Sequence, residues 1–178
     1  ISFDKLFLRD FKRDYYLNGL KNSTKNLEET IVFLNELISY KKYKKVVALG
    51  TSSGGFAAIL FGNLLKFNKV IAFNPQTIIS ELCDENIIAF LFSKEISIKL
   101  GGMNKSNKLF QKCLNLKNFI PFKTQVEIHY SQFSRIDKHQ AFFIKHNNCQ
   151  LINHRSGSHL LTTELKEKGL LKKLILDS

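Results

Sequence analysis

Apolar residues along this chain fall into two alternating rhythms, short runs of strand character and longer stretches at helical spacing. Residues 5–9, 46–49, 69–73, 125–130 and 149–153 are compact runs rich in Val, Ile, Leu and Phe, and strands accommodate such side chains well. Between them Leu27, Ile31, Leu34 and Ile38 mark one face of a helix, with Ser23 or Thr24 placed to cap it and Glu28 and Glu29 in its first turn. Residues 56–61 begin a buried helix, 109–116 and 138–146 read as two more, and 160–176 as a closing amphipathic helix. Alternation of this kind predicts an α/β fold, a mostly parallel sheet of about five strands flanked by helices, with ligands gathering at the carboxyl ends of the strands. Residues 78–121 are the least regular stretch and are expected to cover the cleft or to pack on one face of the sheet.

One junction is sharper than the rest. The run Val46-Val47-Ala48-Leu49, expected to be buried on both faces, ends in Gly50-Thr51-Ser52-Ser53-Gly54-Gly55, and the helix begins directly after it. A Gly-x-Ser-x-Gly turn between strand and helix holds its serine in strained geometry above the sheet edge, with small residues where the two elements nearly touch. Gly50, Ser52 and Gly54 fit that frame, and the N–H of Ser53 at the helix start faces any oxyanion formed on Ser52. The plainer alternative is a glycine- and serine-rich connection, even one that binds phosphate, but neither Gly-x-x-x-x-Gly-Lys-Ser/Thr nor Gly-x-Gly-x-x-Gly is present.

A serine hydroxyl needs a base, and the base needs a carboxylate to fix its tautomer. Asp137 follows the strand at 125–130 and His159 follows the strand at 149–153, so loops at the carboxyl ends of the sheet deliver both toward Ser52. His129 lies within a strand, and His139 and His146 on a helix. His154 is the nearest rival to His159 but precedes the Ser156-Gly157-Ser158 loop and is expected to point away from the cleft. Asp84 is a weaker acid because no clear strand precedes it, and Asp137 has the alternative task of capping its own helix. Asp10, Asn74 and Gln76 follow neighbouring strands and are candidate substrate-binding residues, although ordinary turn chemistry also explains Asn74-Pro75.

The 178 residues suffice for one domain with a real core, so residues 1–178 are read as a single domain. The formal charge of +12 comes mostly from lysines scattered over helix faces, apart from the cluster Lys41, Lys42, Lys44 and Lys45. No specific nucleic-acid site is expected, since no binding motif accompanies the charge; attraction to acidic partners such as anionic glycans or nucleotides is. Cys83, Cys113 and Cys149 are odd in number and lack metal spacing, which fits reduced thiols in a cytoplasmic setting. No apolar run is long enough to cross a bilayer. No metal or bound cofactor is implied.

The stretches FLRDFKRDYYLNGL, GTSSGGFAAILFG, VIAFNPQT and GSHLLTTELKEKGLL together resemble the α/β-hydrolase superfamily over nearly the whole chain. They are similar in particular to small serine-hydrolase-like and O-acetyltransferase domains of bacterial surface-polysaccharide and glycosylation loci. The resemblance implies a truncated α/β-hydrolase fold and acyl-ester chemistry on a glycan or small ester through an acyl-Ser52 intermediate. In the transferase version acetyl-CoA is a possible acyl donor. The superfamily takes its second oxyanion donor from a loop one strand earlier than the one ending at Asp10; that strand is expected upstream of Ile1, unless residues 10–13 have taken over the role. The alternative function is a noncatalytic binding module of the same fold in surface-glycan biosynthesis.

Overall fold

Runs of Val, Ile, Ala and Phe too short for stable helices become the strands of the sheet. The structure, a computed structural model, describes residues 3–79 and 106–176. Strands β1 (Val47–Thr51), β2 (Lys69–Phe73), β3 (Gln125–Ser131) and β4 (Cys149–His154) form a four-stranded sheet in the order β1-β2-β3-β4. Every neighbouring pair is parallel.

Strands laid down in sequential order by right-handed crossovers place their connecting helices on one face. That face carries α1 (Leu27–Lys41), α2 (Ser53–Leu64), α3 (Lys108–Cys113) and α4 (Arg135–Phe143). Their Leu27, Leu34, Phe56, Ile59, Leu60, Phe110, Cys113 and Ala141 share one core with Val70, Ala72, Val126 and Ile128 of the sheet. Alternate residues of β2 turn the other way. Ile71 and Phe73 pack there against Leu161 and Leu165 of α5 (Leu161–Glu167), with Leu171 and Leu174 of α6 (Leu170–Leu176) beside them.

Local chemistry sets the element ends. Asn26 rather than Ser23 or Thr24 caps α1, accepting from the Glu29 N–H at 2.8 Å. Thr24 is used instead inside the preceding turn, where its Oγ1 accepts from the Leu20 N–H at 2.8 Å. The expected closing helix is two helices, because the chain passes through Gly169 at φ +69, a conformation that breaks helical hydrogen bonding and suits glycine.

Two expectations about the first strands do not hold. Residues 5–9 are not a strand, so among the described residues the sheet has four strands and β1 is at one edge. A cavity of about 1170 Å³ lies at this edge, lined by Leu6 and Leu8 of this segment and by Leu37, Val47, Leu49 and Phe61 among others. Consequently β1 is not buried on both faces: Val47 and Leu49 are 39% and 45% exposed.

Within 78–121, residues 80–105, including Asp84 and Cys83, lie outside the described residues. The flanks pack firmly: Ile79 N–H donates to the Leu114 carbonyl at 2.8 Å and Leu116 N–H to that of Thr77 at 2.9 Å. Cys113 and Cys149 are buried free thiols, and burial pushes them up to about 12 and about 11, which makes them poor nucleophiles. Among the described residues no helix is long and apolar enough to cross a membrane.

Candidate active site

The turn between β1 and α2 puts Ser52 at φ 53 and ψ −120, a conformation that residues with a side chain seldom adopt. Neighbours on the sheet hold it there. Ser52 N–H donates to the Phe73 carbonyl at 2.9 Å, while the Ser52 carbonyl accepts from Phe56 N–H at 3.0 Å and Gln76 N–H at 3.4 Å. The turn is tight enough that a Cβ on Gly50 would lie 2.1 Å from the Gly54 carbonyl oxygen. Gly54 itself is less constrained, since a Cβ there would meet only the Tyr16 hydroxyl, at 4.0 Å. Ser53 is the first residue of α2, and an N–H in that position has no carbonyl partner within its own helix.

The loop from β4 to α5 brings His159 over this turn. Its Nε2 lies 2.8 Å from Ser52 Oγ and its Nδ1 lies 2.7 Å from Asp137 Oδ1. A carboxylate only accepts, so Nδ1 carries the proton toward Asp137 and the bare Nε2 accepts from the serine hydroxyl. The hydrogen bond with Asp137 raises the His159 pKa above its ordinary 6.5, against the opposing effect of burial.

Asp137 does not sit in the loop after β3, where the sequence places it, but in the first turn of α4. Its N–H donates to the Ser134 hydroxyl, the helix cap, at 3.3 Å. Asp137 therefore does not cap its helix; Ser134 does. The carboxylate is 2% exposed, its Oδ1 bonded to the imidazole and its Oδ2 buried without a hydrogen-bond partner among the described residues.

The rival histidines are engaged elsewhere. His129 is fully buried on the sheet, with Nε2 donating to Glu127 Oε1 at 2.8 Å and Nδ1 at 2.8 Å from Nε2 of His154. Lys69 pairs with the other Glu127 oxygen at 2.8 Å. Desolvation lowers the pKa of both His129 and His154, which keeps this stacked pair neutral. The His146 ring lies between two backbone N–H groups, Nδ1 at 3.1 Å from that of Asn148 and Nε2 at 3.4 Å from that of Phe122, of which a neutral ring accepts one, and His139 lies against the Phe143 ring.

The three expected substrate-binding residues fare differently. Asp10 is turned into its own loop, its Oδ2 accepting from the N–H groups of Asp14 at 2.9 Å and Tyr16 at 3.3 Å. The loop is strained, with Arg13, Tyr15 and Tyr16 all at positive φ, and it packs against the start of α2 through the edge-to-face contact of Tyr15 with Phe56. Asn74 is fully buried, and both ends of its amide are taken by Ser131 and the His159 loop; it has nothing left for a substrate. Gln76 is half-buried beside Ser52, and its Oε1 accepts from the Tyr15 hydroxyl.

No protein-family model matches this chain, and no curated protein matches it significantly. Among solved structures, the capsule O-acetyltransferase of Neisseria meningitidis serogroup A matches in two forms, one of them in complex with caged gadolinium. Each has a TM-score of 0.53 and 16% identity, over 89% of this chain and 68% of that one. An α/β hydrolase enzyme from a sediment metagenome of the Mar Chica lagoon, Morocco, matches at a TM-score of 0.44 and 16% identity, over 86% of this chain and 75% of that one. At such identities the likeness to the capsule O-acetyltransferase is one of fold alone, a parallel sheet with helices on both faces.

Proposed function

We propose that this chain carries out serine-dependent acyl-ester chemistry through an acyl-Ser52 intermediate. The observation that carries this reading is the unbroken succession Ser52 Oγ to His159 Nε2 at 2.8 Å and His159 Nδ1 to Asp137 Oδ1 at 2.7 Å. In the first half-reaction Ser52 Oγ bonds to the acyl carbon and its proton passes to His159 Nε2. Asp137 stabilises the imidazolium, and the N–H of Ser53 receives the oxyanion. Collapse expels the alcohol or thiol, which takes the proton back from His159. In the second half, His159 deprotonates an acceptor hydroxyl that attacks the acyl-serine and releases Ser52.

The fold shared with a capsule O-acetyltransferase supports a sugar hydroxyl as the acceptor and an acetyl ester or thioester, acetyl-CoA included, as the donor. Gln76, fixed by Tyr15 on its oxygen, offers its amide nitrogen to a ligand at the same rim. Water competes, because His159 leaves 45% of its side chain in solvent. Hydrolysis of simple esters is therefore the expected basal activity, and transfer becomes dominant only when a bound acceptor excludes water.

The test is hydrolysis of p-nitrophenyl acetate with and without an added oligosaccharide acceptor. Turnover that disappears in Ser52→Ala, with acetyl appearing on the sugar when it is present, supports the transferase form. Turnover without sugar acetylation supports an esterase. A folded protein that neither hydrolyses the ester nor acetylates the sugar supports a binding module, and turnover that survives Ser52→Ala refutes Ser52 as the nucleophile.

A further inference from the structure

Asn74 directly follows β2, the strand between the one that carries Ser52 and the one that leads to Asp137. Its backbone is in the left-handed region at φ 41, and its N–H donates to the His129 carbonyl on β3 at 2.8 Å. That geometry turns the side chain into a fully buried position among three loops. The amide oxygen accepts from the Ser131 N–H at 2.8 Å. The amide nitrogen lies 2.9 Å from Ser131 Oγ, 3.0 Å from the His159 carbonyl and 3.2 Å from the Ser158 carbonyl.

The proton count fixes how these bonds are shared. An amide has two N–H groups, so one serves Ser131 Oγ and the other is divided between the carbonyls of Ser158 and His159. Ser131 Oγ, having accepted from Asn74, donates its own proton to the Ser158 carbonyl at 2.6 Å. Asn74 and Ser131 thus grip the main chain of the two residues that carry and precede the imidazole. Upstream the loop is tied at Ser156, whose carbonyl accepts from the Phe133 N–H at 2.9 Å and whose Oγ donates to Glu164 Oε1 at 2.7 Å; around His159 itself the further bonds are short-range, Ser158 N–H to Ser156 Oγ and Leu160 N–H to Ser158 Oγ, each 3.0 Å.

We infer that Asn74, with Ser131, is a positioning residue that seats the His159 imidazole between Ser52 and Asp137 by clamping the carbonyls of Ser158 and His159. It touches no reacting atom, and its catalytic consequence rests on the proposed Ser52 chemistry. Replacing it with a carboxylate would turn the clamp against itself, because an acceptor would then face two carbonyls. An aliphatic residue would leave those carbonyls buried and unpaired.

Two readouts separate this role from simple loss of stability. The first is the titration of the His159 imidazole by NMR, which needs no activity: seated against Asp137 it titrates above 6.5, and in Asn74→Ala the midpoint falls toward that value. The second is the rate at which a fluorophosphonate labels Ser52, expected to slow about 10- to 100-fold as the base moves out of line. Ser131→Ala, which removes one bond and leaves Asn74 in place, is expected to move both in the same direction by less, and it serves if Asn74→Ala does not fold. A variant that is less stable yet titrates and labels as the parent does overturns the inference. If the parent itself is not labelled, the proposed chemistry fails, while the titration still decides whether Asn74 seats the ring.

Discussion

At the scale of single residues the site turns on His159, whose two ring nitrogens face different partners. Asp137 favours the charged imidazole, whereas general-base catalysis needs the neutral one, so stability and activity pull in opposite directions with pH. The raised pKa gives a stability contribution that is fully present below the ordinary value of 6.5 and is lost as pH rises through the folded value. Acylation does the reverse, rising with pH through the folded value as Nε2 becomes free to accept. The pH profile of kcat/KM should therefore have its acid limb above 6.5. Asp137→Asn removes the principal cause of the shift and leaves burial, which lowers the pKa, so the limb should move down. The rate should fall about 10³- to 10⁴-fold because the tautomer is no longer fixed. An unmoved limb would mean that some other group sets it.

At the scale of elements, the decisive contact is the pinch between β1 and α2. Gly50→Ala would drive its Cβ into the Gly54 peptide, with 2.1 Å to the oxygen and 2.3 Å to the carbon, and backbone cannot swing aside as a side chain can. The expected cost is about 3 kcal/mol, the upper end for overpacking, read as a lower urea midpoint. Gly54→Ala has room for its methyl and gains helix propensity of up to about 1 kcal/mol, so its midpoint should be unchanged or higher. Equal midpoints for the two variants would contradict the geometry. The sequence shows both glycines in the same motif and does not reveal that one is pinched and the other is not. The difference depends on how far apart strand and helix axes lie.

At the scale of the whole molecule, what could be read in advance was whatever a local signal encodes. β2 has the ends its composition predicts, because Asn74-Pro75 stops a run of four fully buried apolar residues. Ser52, Asp137 and His159 were legible from their places after strands, since a parallel sheet gathers such loops on one rim. Residues 5–9 misled because strand-like composition needs a ladder partner to become a strand, and partners are a property of the fold. Asn74 reads from sequence as a candidate for substrate binding for the same reason: nothing local announces that Ser131 and His159, 57 and 85 positions away, consume its amide. The +12 charge likewise meets its aromatic complement only in three dimensions, with Lys112 over Phe119, Lys117 over Phe143 and Lys145 over Phe142. The account as a whole depends on Ser52 being the nucleophile. Mass spectrometry after fluorophosphonate treatment tests that most directly. The account predicts a single adduct on the peptide containing Ser52, absent from Ser52→Ala and strongly slowed in His159→Ala; equal labelling of Ser52→Ala, or no adduct on the folded parent, would contradict it.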